Sequence, residues 1–196
     1  MHKGRLEAFS DGVIAILITI MVLELKIPAG ADLAAFMKVA PVLLIYAVSF
    51  LMLGIYWNNH HHMLQVARHV DGSILWANLH LLFWLSLIPF GTAWVGETHL
   101  APLPVALYGV DLLLSGAAYY ILSRRLIARH GESSPLARAV GTDVKGLVSL
   151  AVYAAGVTIA FRWPRAAYAL YVLVAFVWLV PDRRIERVLA EAAPPS

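Results

Sequence analysis

The chain carries few residues that could do chemistry, and most of them lie inside long apolar stretches. Cysteine is absent from the 196 residues, which excludes disulfides, thiolate metal sites and cysteine nucleophiles. The sequence also contains no Gly-rich phosphate loop, no HExxH motif and no serine elbow. We therefore expect no catalytic residue and no enzyme activity. The polar side chains left to explain are Asp11, His60-His61-His62, Asn78 and Asp111.

The histidine triplet is the group closest to a metal-site pattern. Three consecutive histidines point about 100° apart on a helix, so they cannot hold one ion together. The i, i+4 spacing that places two ligands on one helix face is missing from the triplet. His80, in a later apolar segment, could approach it. We expect hydrogen-bonding partners for these histidines and for Asn78, with no bound metal or cofactor.

Composition places these residues in a membrane. Apolar residues make up 61% of the chain and charged residues 14%, with a mean hydropathy of +0.75. Soluble domains average about 45–50% apolar and about 25% charged residues. Six spans of ~20 residues would use ~120 residues and leave no room for a second domain. The sequence thus predicts an all-α integral membrane protein with one transmembrane domain over residues 1–196.

Apolar runs bounded by proline, glycine and charged residues predict where six transmembrane helices lie. Pro89 and Gly91 predict a kink or an end in the third. The six predicted spans are Leu6–Leu25, Ala35–Leu64, Ile74–Val95, Val105–Leu126, Gly146–Phe161 and Ala166–Val180.

Basic residues predict the orientation of these spans. With the N-terminus inside, four Lys and Arg residues fall on the outer side: Lys26, Lys38, Arg162 and Arg165. Eleven fall on the inner side: Lys3, Arg5, Arg68, Arg124, Arg125, Arg129, Arg138, Lys145, Arg183, Arg184 and Arg187. The positive-inside rule then places both termini in the cytoplasm. We expect a multi-pass protein of a bacterial-type inner membrane, and no nucleic-acid surface.

The first span is the most informative segment. Asp11 is costly inside a membrane unless it is paired or hydrated, and Arg5 is six residues away, too far for an ideal helical pair. Ile16, Ile20 and Leu23 are spaced i, i+4, i+7 and share one face with Thr19. Such a stripe is common in simple helix packing. It also suits a narrow pore, since apolar rings gate by dewetting and rings of oxygens replace an ion's water.

The same segment carries a family resemblance. Arg5-x-x-x-Phe9-Ser10-Asp11 resembles the RxxxFSD signature that opens the first helix of the endolysosomal potassium channel family, most closely its bacterial members with one six-helix unit per chain. Trp57-x-x-His60 at the end of the second span is also similar, as are Asn78-Leu79 and Pro89 in the third. The fourth to sixth spans match only in hydrophobic layout.

The resemblance implies a function. Members of this family are cation channels that favour potassium, lack the TVGYG filter, and assemble in bacteria as homotetramers around four first helices. Carried over by offset, the constriction falls at Ile16, a threonine layer at Thr19, and further apolar rings at Ile20 and Leu23. A bracing network around the pore helix would consist of Arg5, Phe9, Ser10, Asp11, Trp57, His60 and Asn78, and the sequence leaves open which of His60, His61 and His62 faces it. The expected partners are potassium ions, the lipid bilayer and other copies of the chain.

Three other functions stay open at this point. A proton-conducting or weakly selective cation channel would use the same architecture, and the eight histidines and Asp11 favour it. A secondary transporter needs a binding site at mid-membrane and often paired broken helices in repeats, and the chain shows no convincing internal repeat. A membrane enzyme that binds a metal through histidines is disfavoured by the ligand spacing.

Overall fold

Long helices account for nearly all of the described structure. The computed structural model describes residues 3–67, 69–131, 134, 137–138 and 143–179, and none of these residues forms a β-strand. A 3₁₀ turn, Met21–Glu24, extends the first helix. In chain order the helices are α1 Lys3–Ile20, α2 Leu33–Val66, α3 Gly72–Leu85, α4 Ile88–Glu97, α5 Pro102–His130, α6 Val144–Ala160 and α7 Pro164–Leu179.

Six segments of the described chain are apolar enough to lie in a bilayer. Four are also long enough to cross one: α1 with its 3₁₀ turn, α2, α3 together with α4, and α5. The shorter α6 and α7 contain 17 and 16 residues, which at ~1.5 Å per residue gives about 25 Å, slightly less than the hydrocarbon core of ~30 Å. The predicted all-α membrane fold is confirmed. The prediction of cytoplasmic termini stays a prediction.

The third span is broken near its middle. Helix α3 ends at Leu85 and α4 begins at Ile88. Pro89 stands at the second position of α4, where its missing N–H costs least, because the first N–H groups of a helix have no intrahelical partner. The Ser86 hydroxyl donates to the Phe83 carbonyl at 2.6 Å inside the break. The break expected near Pro89 is therefore present, just before the proline.

Aspartates cap the starts of three helices, α2, α3 and α6. Asp32 accepts from the Ala35 backbone N–H at 2.7 Å, so α2 begins two residues before the predicted span. Asp71 caps α3 in the same way. Hydrogen bonds from the Ser73 hydroxyl and the Ile74 N–H hold the pKa of Asp71 below its usual value.

Helix α5 ends later than the predicted span, because its last turn is helical although it contains polar residues. Helix α5 runs one turn past the predicted Leu126 and stops at Gly131, whose φ of 90° suits glycine. The polar residues of this last turn extend the helix into water, so hydropathy alone does not reveal it. Val180, the predicted end of the sixth span, and the basic tail after it lie outside the described residues.

Helix α5 occupies the centre of the bundle. It packs against α3, α4, α6 and α7, whereas α1 lies at the edge against α2 and α3. Gly156 leaves room on α6 for an aromatic ring of α7. A Cβ added to Gly156 would overlap the buried ring of Tyr171, so glycine is required there by space.

We expect Gly156→Ala to lower the apparent Tm of the detergent-solubilised protein by several degrees. The added methyl would displace a rigid aromatic ring, and overpacking of this kind costs about 1–3 kcal/mol. Gly54→Ala in α2 is the matched control, because no side chain lies within 4 Å of a Cβ at that position. Equal Tm values for the two variants would contradict the proposed contact.

Candidate functional site

Helix α1 presents two faces of different character. Leu6, Ser10, Ile14 and Leu17 are buried against the bundle. On the opposite side the residues of the predicted pore are exposed: Ile16 is 57% accessible, Ile20 42% and Leu23 78%, with Thr19 exposed among them. The structure thus places the four predicted pore residues together on one outward face. Their role in conduction stays a prediction.

The Thr19 hydroxyl is oriented by its own helix. Its single hydrogen is shared between two backbone carbonyls, with Oγ1 3.1 Å from the oxygen of Ala15 and 2.9 Å from that of Ile16. Because a hydroxyl has one hydrogen and two lone pairs, this hydrogen bond leaves acceptor lone pairs on the exposed side of α1. An exposed acceptor oxygen between apolar residues suits contact with a cation.

A buried hydrogen-bonded chain joins α1 to two other helices. Asn78 of α3 donates from Nδ2 to the Ser10 hydroxyl at 2.9 Å, and its Oδ1 lies 2.7 Å from Nε2 of His60 in α2. An amide oxygen only accepts, so Nε2 of His60 is the donor. Ser10 in turn donates to the Leu6 carbonyl at 2.9 Å. All three side chains are at most 1% exposed, so each hydrogen bond replaces water that cannot reach them.

A second hydrogen bond between α1 and α2 lies closer to the surface. Trp57 of α2 donates from its indole Nε1 to Oδ1 of Asp11 at 3.0 Å. The His61 ring stacks on the Trp57 ring, with centroids 5.7 Å apart and planes 21° from parallel. Asp11 therefore finds on another helix the partner that its position required.

Lys3 adds a contact that the sequence did not predict. Its Nζ donates to the carbonyls of Leu64 at 3.0 Å and Gln65 at 3.2 Å, and lies 3.3 Å from a Glu7 carboxylate oxygen. A cation at the C-terminal carbonyls of α2 is favoured by the helix dipole. No local pattern pairs Lys3 with carbonyls 61 residues away, so only the fold reveals this link.

The predicted bracing network is assembled only in part within one chain. The structure brings together Ser10, His60 and Asn78 in one set, and Asp11 and Trp57 in another. Arg5 and Phe9 instead lie exposed on the outward side of α1, and the described chain gives Arg5 no hydrogen bond or ion pair. These two residues lie on the same side as the predicted pore residues.

Apart from the stacking of His61 on Trp57, the remaining polar candidates make no described hydrogen bond with this site. His61 contacts Gln65 at 2.8 Å, and His80 accepts from the Trp84 indole at 2.9 Å. Across the described ranges, no three His, Asp or Glu side chains are grouped closely enough to hold a metal ion. Asp111 is buried in α5, and neither of its carboxylate oxygens has a partner among the described residues.

Fold and site together define an all-α membrane protein whose first helix exposes an apolar stripe around one hydroxyl. Residues 5–89 match the sequence model of the family described as endosomal/lysosomal potassium channel TMEM175. A protein named potassium channel from Chryseobacterium sp. (strain P1-3) is 53% identical over 97% of this chain and all of its own length. The chain belongs to the TMEM175 family, which confirms the resemblance drawn from the first-helix signature.

Two more distant relatives extend the comparison. The crystal structure of a lysosomal potassium-selective channel TMEM175 homolog from Chamaesiphon minutus superposes with a TM-score of 0.80, covering 92% of this chain and 97% of that one at 24% identity. This likeness supports the fold. The endosomal/lysosomal proton channel TMEM175 of Danio rerio is 25% identical over 67% of this chain and 25% of its own length.

We expect His60→Leu to lower the free energy of unfolding by roughly 1–3 kcal/mol, because it leaves the buried Asn78 oxygen without a donor. Thermal unfolding in detergent, followed by circular dichroism, measures the change.

His61→Leu is the matched control, since it changes the adjacent histidine of the same helix at a partly exposed position. Its effect should stay within about 0.5 kcal/mol. A larger loss from His61→Leu than from His60→Leu would show that the buried chain is not what holds α1 to α2 and α3.

Proposed function

We propose that this protein is a passive, potassium-selective cation channel of the bacterial inner membrane, assembled as a homotetramer with α1 lining the pore. The observation that carries this proposal is the outward face of α1 and its 3₁₀ turn, where Ile16, Ile20 and Leu23 are exposed on the same side as the hydroxyl of Thr19. Membership in the TMEM175 family and the 53% identical relative named potassium channel support it.

Assembly is part of the proposal because one chain offers no conduit at this face. The four residues are exposed and point away from the bundle, so a pore lined by them needs several α1 helices facing one another. Closed rings of identical subunits present the same face to a shared axis. Exposed isoleucine and leucine would also be buried by that assembly.

In the proposed pore, Ile16 forms the constriction and Thr19 contacts the ion. A ring of Ile16 side chains forms the narrowest part, where apolar walls disfavour water and block ions unless the ring widens. The Thr19 ring lies one turn further along and offers oxygens that replace part of the ion's hydration shell. Ions move down their gradient, so the protein needs no cofactor, binds no nucleotide and catalyses no reaction.

The bracing contacts explain how such a ring could be held in register. Buried hydrogen bonds among Ser10, Asn78 and His60 hold the N-terminal half of α1 against α2 and α3. Asp11–Trp57 adds a second link one residue further along α1. Four copies of a helix fixed in rotation would present Ile16 to the axis rather than the neighbouring Leu17.

We expect Ile16→Asn to raise potassium flux several-fold in liposomes that contain the purified protein, because an amide wets the constriction. The measurement is potassium efflux along a gradient, with an impermeant cation outside.

Ile18→Asn is the matched control, because residue 18 lies about 200° around the helix from residue 16 and packs against the core. This variant should leave the flux of the folded protein unchanged. Unaltered flux in Ile16→Asn would remove Ile16 as the gate. A saturable flux coupled to a counter-ion would indicate a secondary transporter instead.

We expect Thr19→Val to lower the potassium-to-sodium permeability ratio, because valine keeps the shape of threonine and removes its oxygen. Thr19→Ser retains the oxygen and should keep most of the selectivity. Bi-ionic reversal potentials in planar bilayers measure both variants. Equal ratios in wild type and Thr19→Val would show that selectivity arises elsewhere.

A proton-conducting channel is the second candidate, favoured by the name of the Danio rerio relative. The same bilayers distinguish the two functions. Under symmetrical potassium and a pH gradient, a reversal potential that follows the protons supports proton conduction. A reversal potential near zero supports the potassium channel.

A further inference from the structure

An aspartate without a partner lies inside the subunit, on the helix at the centre of the bundle. Asp111 of α5 is 7% exposed, and both of its carboxylate oxygens are buried without a hydrogen bond. No Lys, Arg or His side chain of the described residues forms an ion pair with it. The proposed pore does not use Asp111, because the pore residues lie on the outward face of α1, away from the bundle.

Asp111 also lies deep in the membrane. At ~1.5 Å per residue, it stands ~14 Å along α5 from the start of that helix at Pro102. The hydrocarbon core is ~30 Å thick, so this residue lies near its middle. A charged carboxylate at that depth needs a counter-charge or water.

The neighbouring side chains supply no counter-charge. The buried faces of α3 and α4 carry no titratable side chain in the described structure. Tyr56 of α2 and Tyr108 of α5 lie within electrostatic range of Asp111. Three more tyrosines of α6 and α7 form one ring cluster with Tyr108: Tyr153, Tyr168 and Tyr171. A phenol loses its proton only near pH ~10, so all of these groups are neutral at pH 7.

One further polar group lies on the same face of α5. Ser115, at the i+4 position from Asp111, is fully buried, and its hydroxyl has no hydrogen-bond partner among the described residues. Side chains at this spacing are neighbours on a helix, so Ser115 can offer Asp111 one hydrogen bond. Because a hydroxyl carries no charge, it cannot take the place of a cation.

The space around the carboxyl group decides which cation can neutralise it. Neighbouring atoms cover both oxygens so closely that a water molecule cannot touch either of them. A metal ion needs room of its own and several oxygen ligands. A proton needs neither, because it binds covalently to one carboxyl oxygen.

We propose that Asp111 is a proton-binding site in the body of the subunit, and that the folded protein holds one proton there. The proton comes from water and forms an O–H bond on one carboxylate oxygen, which removes the negative charge. Buried ionisable groups without a partner are neutralised in this way. A protonated carboxyl group both donates and accepts, so it can donate to the Ser115 hydroxyl and leave no charge at the centre of the bundle.

Infrared spectroscopy of the purified full-length protein at neutral pH tests the site directly. A protonated carboxyl group has a C=O stretching band that an ionised carboxylate lacks. We expect this band in the wild type and its loss in Asp111→Asn, in which the amide keeps the shape and neutrality of the protonated acid. Asp111 is the one buried acid among the described residues, so the wild-type spectrum is informative even if the variant does not fold.

Asp71→Asn is the matched control. Asp71 is partly exposed at the start of α3, where its hydrogen bonds hold its pKa below the usual value. It is therefore ionised at neutral pH, and its replacement should leave the band unchanged. A wild-type spectrum without the band, or an equal band in wild type and Asp111→Asn, would overturn the proposal. A carboxylate band of Asp111 that shifts when sodium replaces potassium would overturn it in favour of a bound metal ion.

The pH dependence of stability gives a second measurement. An unfolded aspartate loses its proton above about pH 3.9, whereas the folded site keeps it, so folding takes up one proton above this pH. Stability then falls as pH rises. The folding equilibrium constant of the wild type should fall relative to that of Asp111→Asn by up to about tenfold per pH unit. Urea unfolding in detergent at a series of pH values measures both proteins, and a constant ratio between them would contradict the bound proton.

Ion flux in liposomes distinguishes this site from the proposed pore. Asparagine and protonated aspartate are both neutral, so Asp111→Asn should conduct potassium and protons as the wild type does. Loss of proton flux alone in the variant would show that Asp111 passes protons across the membrane, and would overturn a held proton. Absence of flux in the wild type would count against the proposed function, and the infrared result would still decide the site.

Discussion

The side chain of Asn78 connects the parts of this molecule on which the proposed pore depends. Its amide group donates to Ser10 and accepts from His60, so one buried residue of α3 satisfies polar groups on α1 and α2 at once. In a hydrocarbon environment an unpaired group of this kind costs several kcal/mol. Turning α1 about its axis would break the hydrogen bond between Asn78 and Ser10 and leave buried polar groups unpaired. The orientation of α1 is therefore fixed by this hydrogen bond as well as by apolar packing.

Because α1 lies at the edge of the bundle, its outer face stays exposed in a single chain. The polar side chains of Ser10 and Asp11 are directed inward or toward Trp57, while isoleucine, leucine and one threonine are left outside together with Arg5 and Phe9. The fold thus separates a bundle centred on α5 from a peripheral helix whose outer face is exposed, and the proposed tetramer would bury that face.

Much of this arrangement could be predicted from the sequence. Apolar runs predicted the six membrane-spanning segments, and Pro89 predicted the break in the third. The i, i+4, i+7 spacing predicted that Ile16, Ile20 and Leu23 share one helix face. The sequence could not distinguish His60 from His61 and His62, because the choice depends on how α2 is rotated against α3. It also could not place Lys3 at the end of α2, or show that Arg5 and Phe9 are exposed on the outward side of α1.

The uneven distribution of polar links along α1 has a mechanical consequence. Links to other helices occur at Lys3, Ser10 and Asp11, and the next link along the described chain is the surface ion pair of Lys26 with Glu97. Between these links the contacts of α1 with the bundle are apolar. If the helix tilted about Ser10, the displacement would grow with distance from that residue. At ~1.5 Å per residue, Ile16 lies ~9 Å and Ile20 ~15 Å from Ser10. A tilt of ~10° would move the first by ~1.6 Å and the second by ~2.6 Å, so small rotations at the braced end would become displacements of atomic size further along the helix.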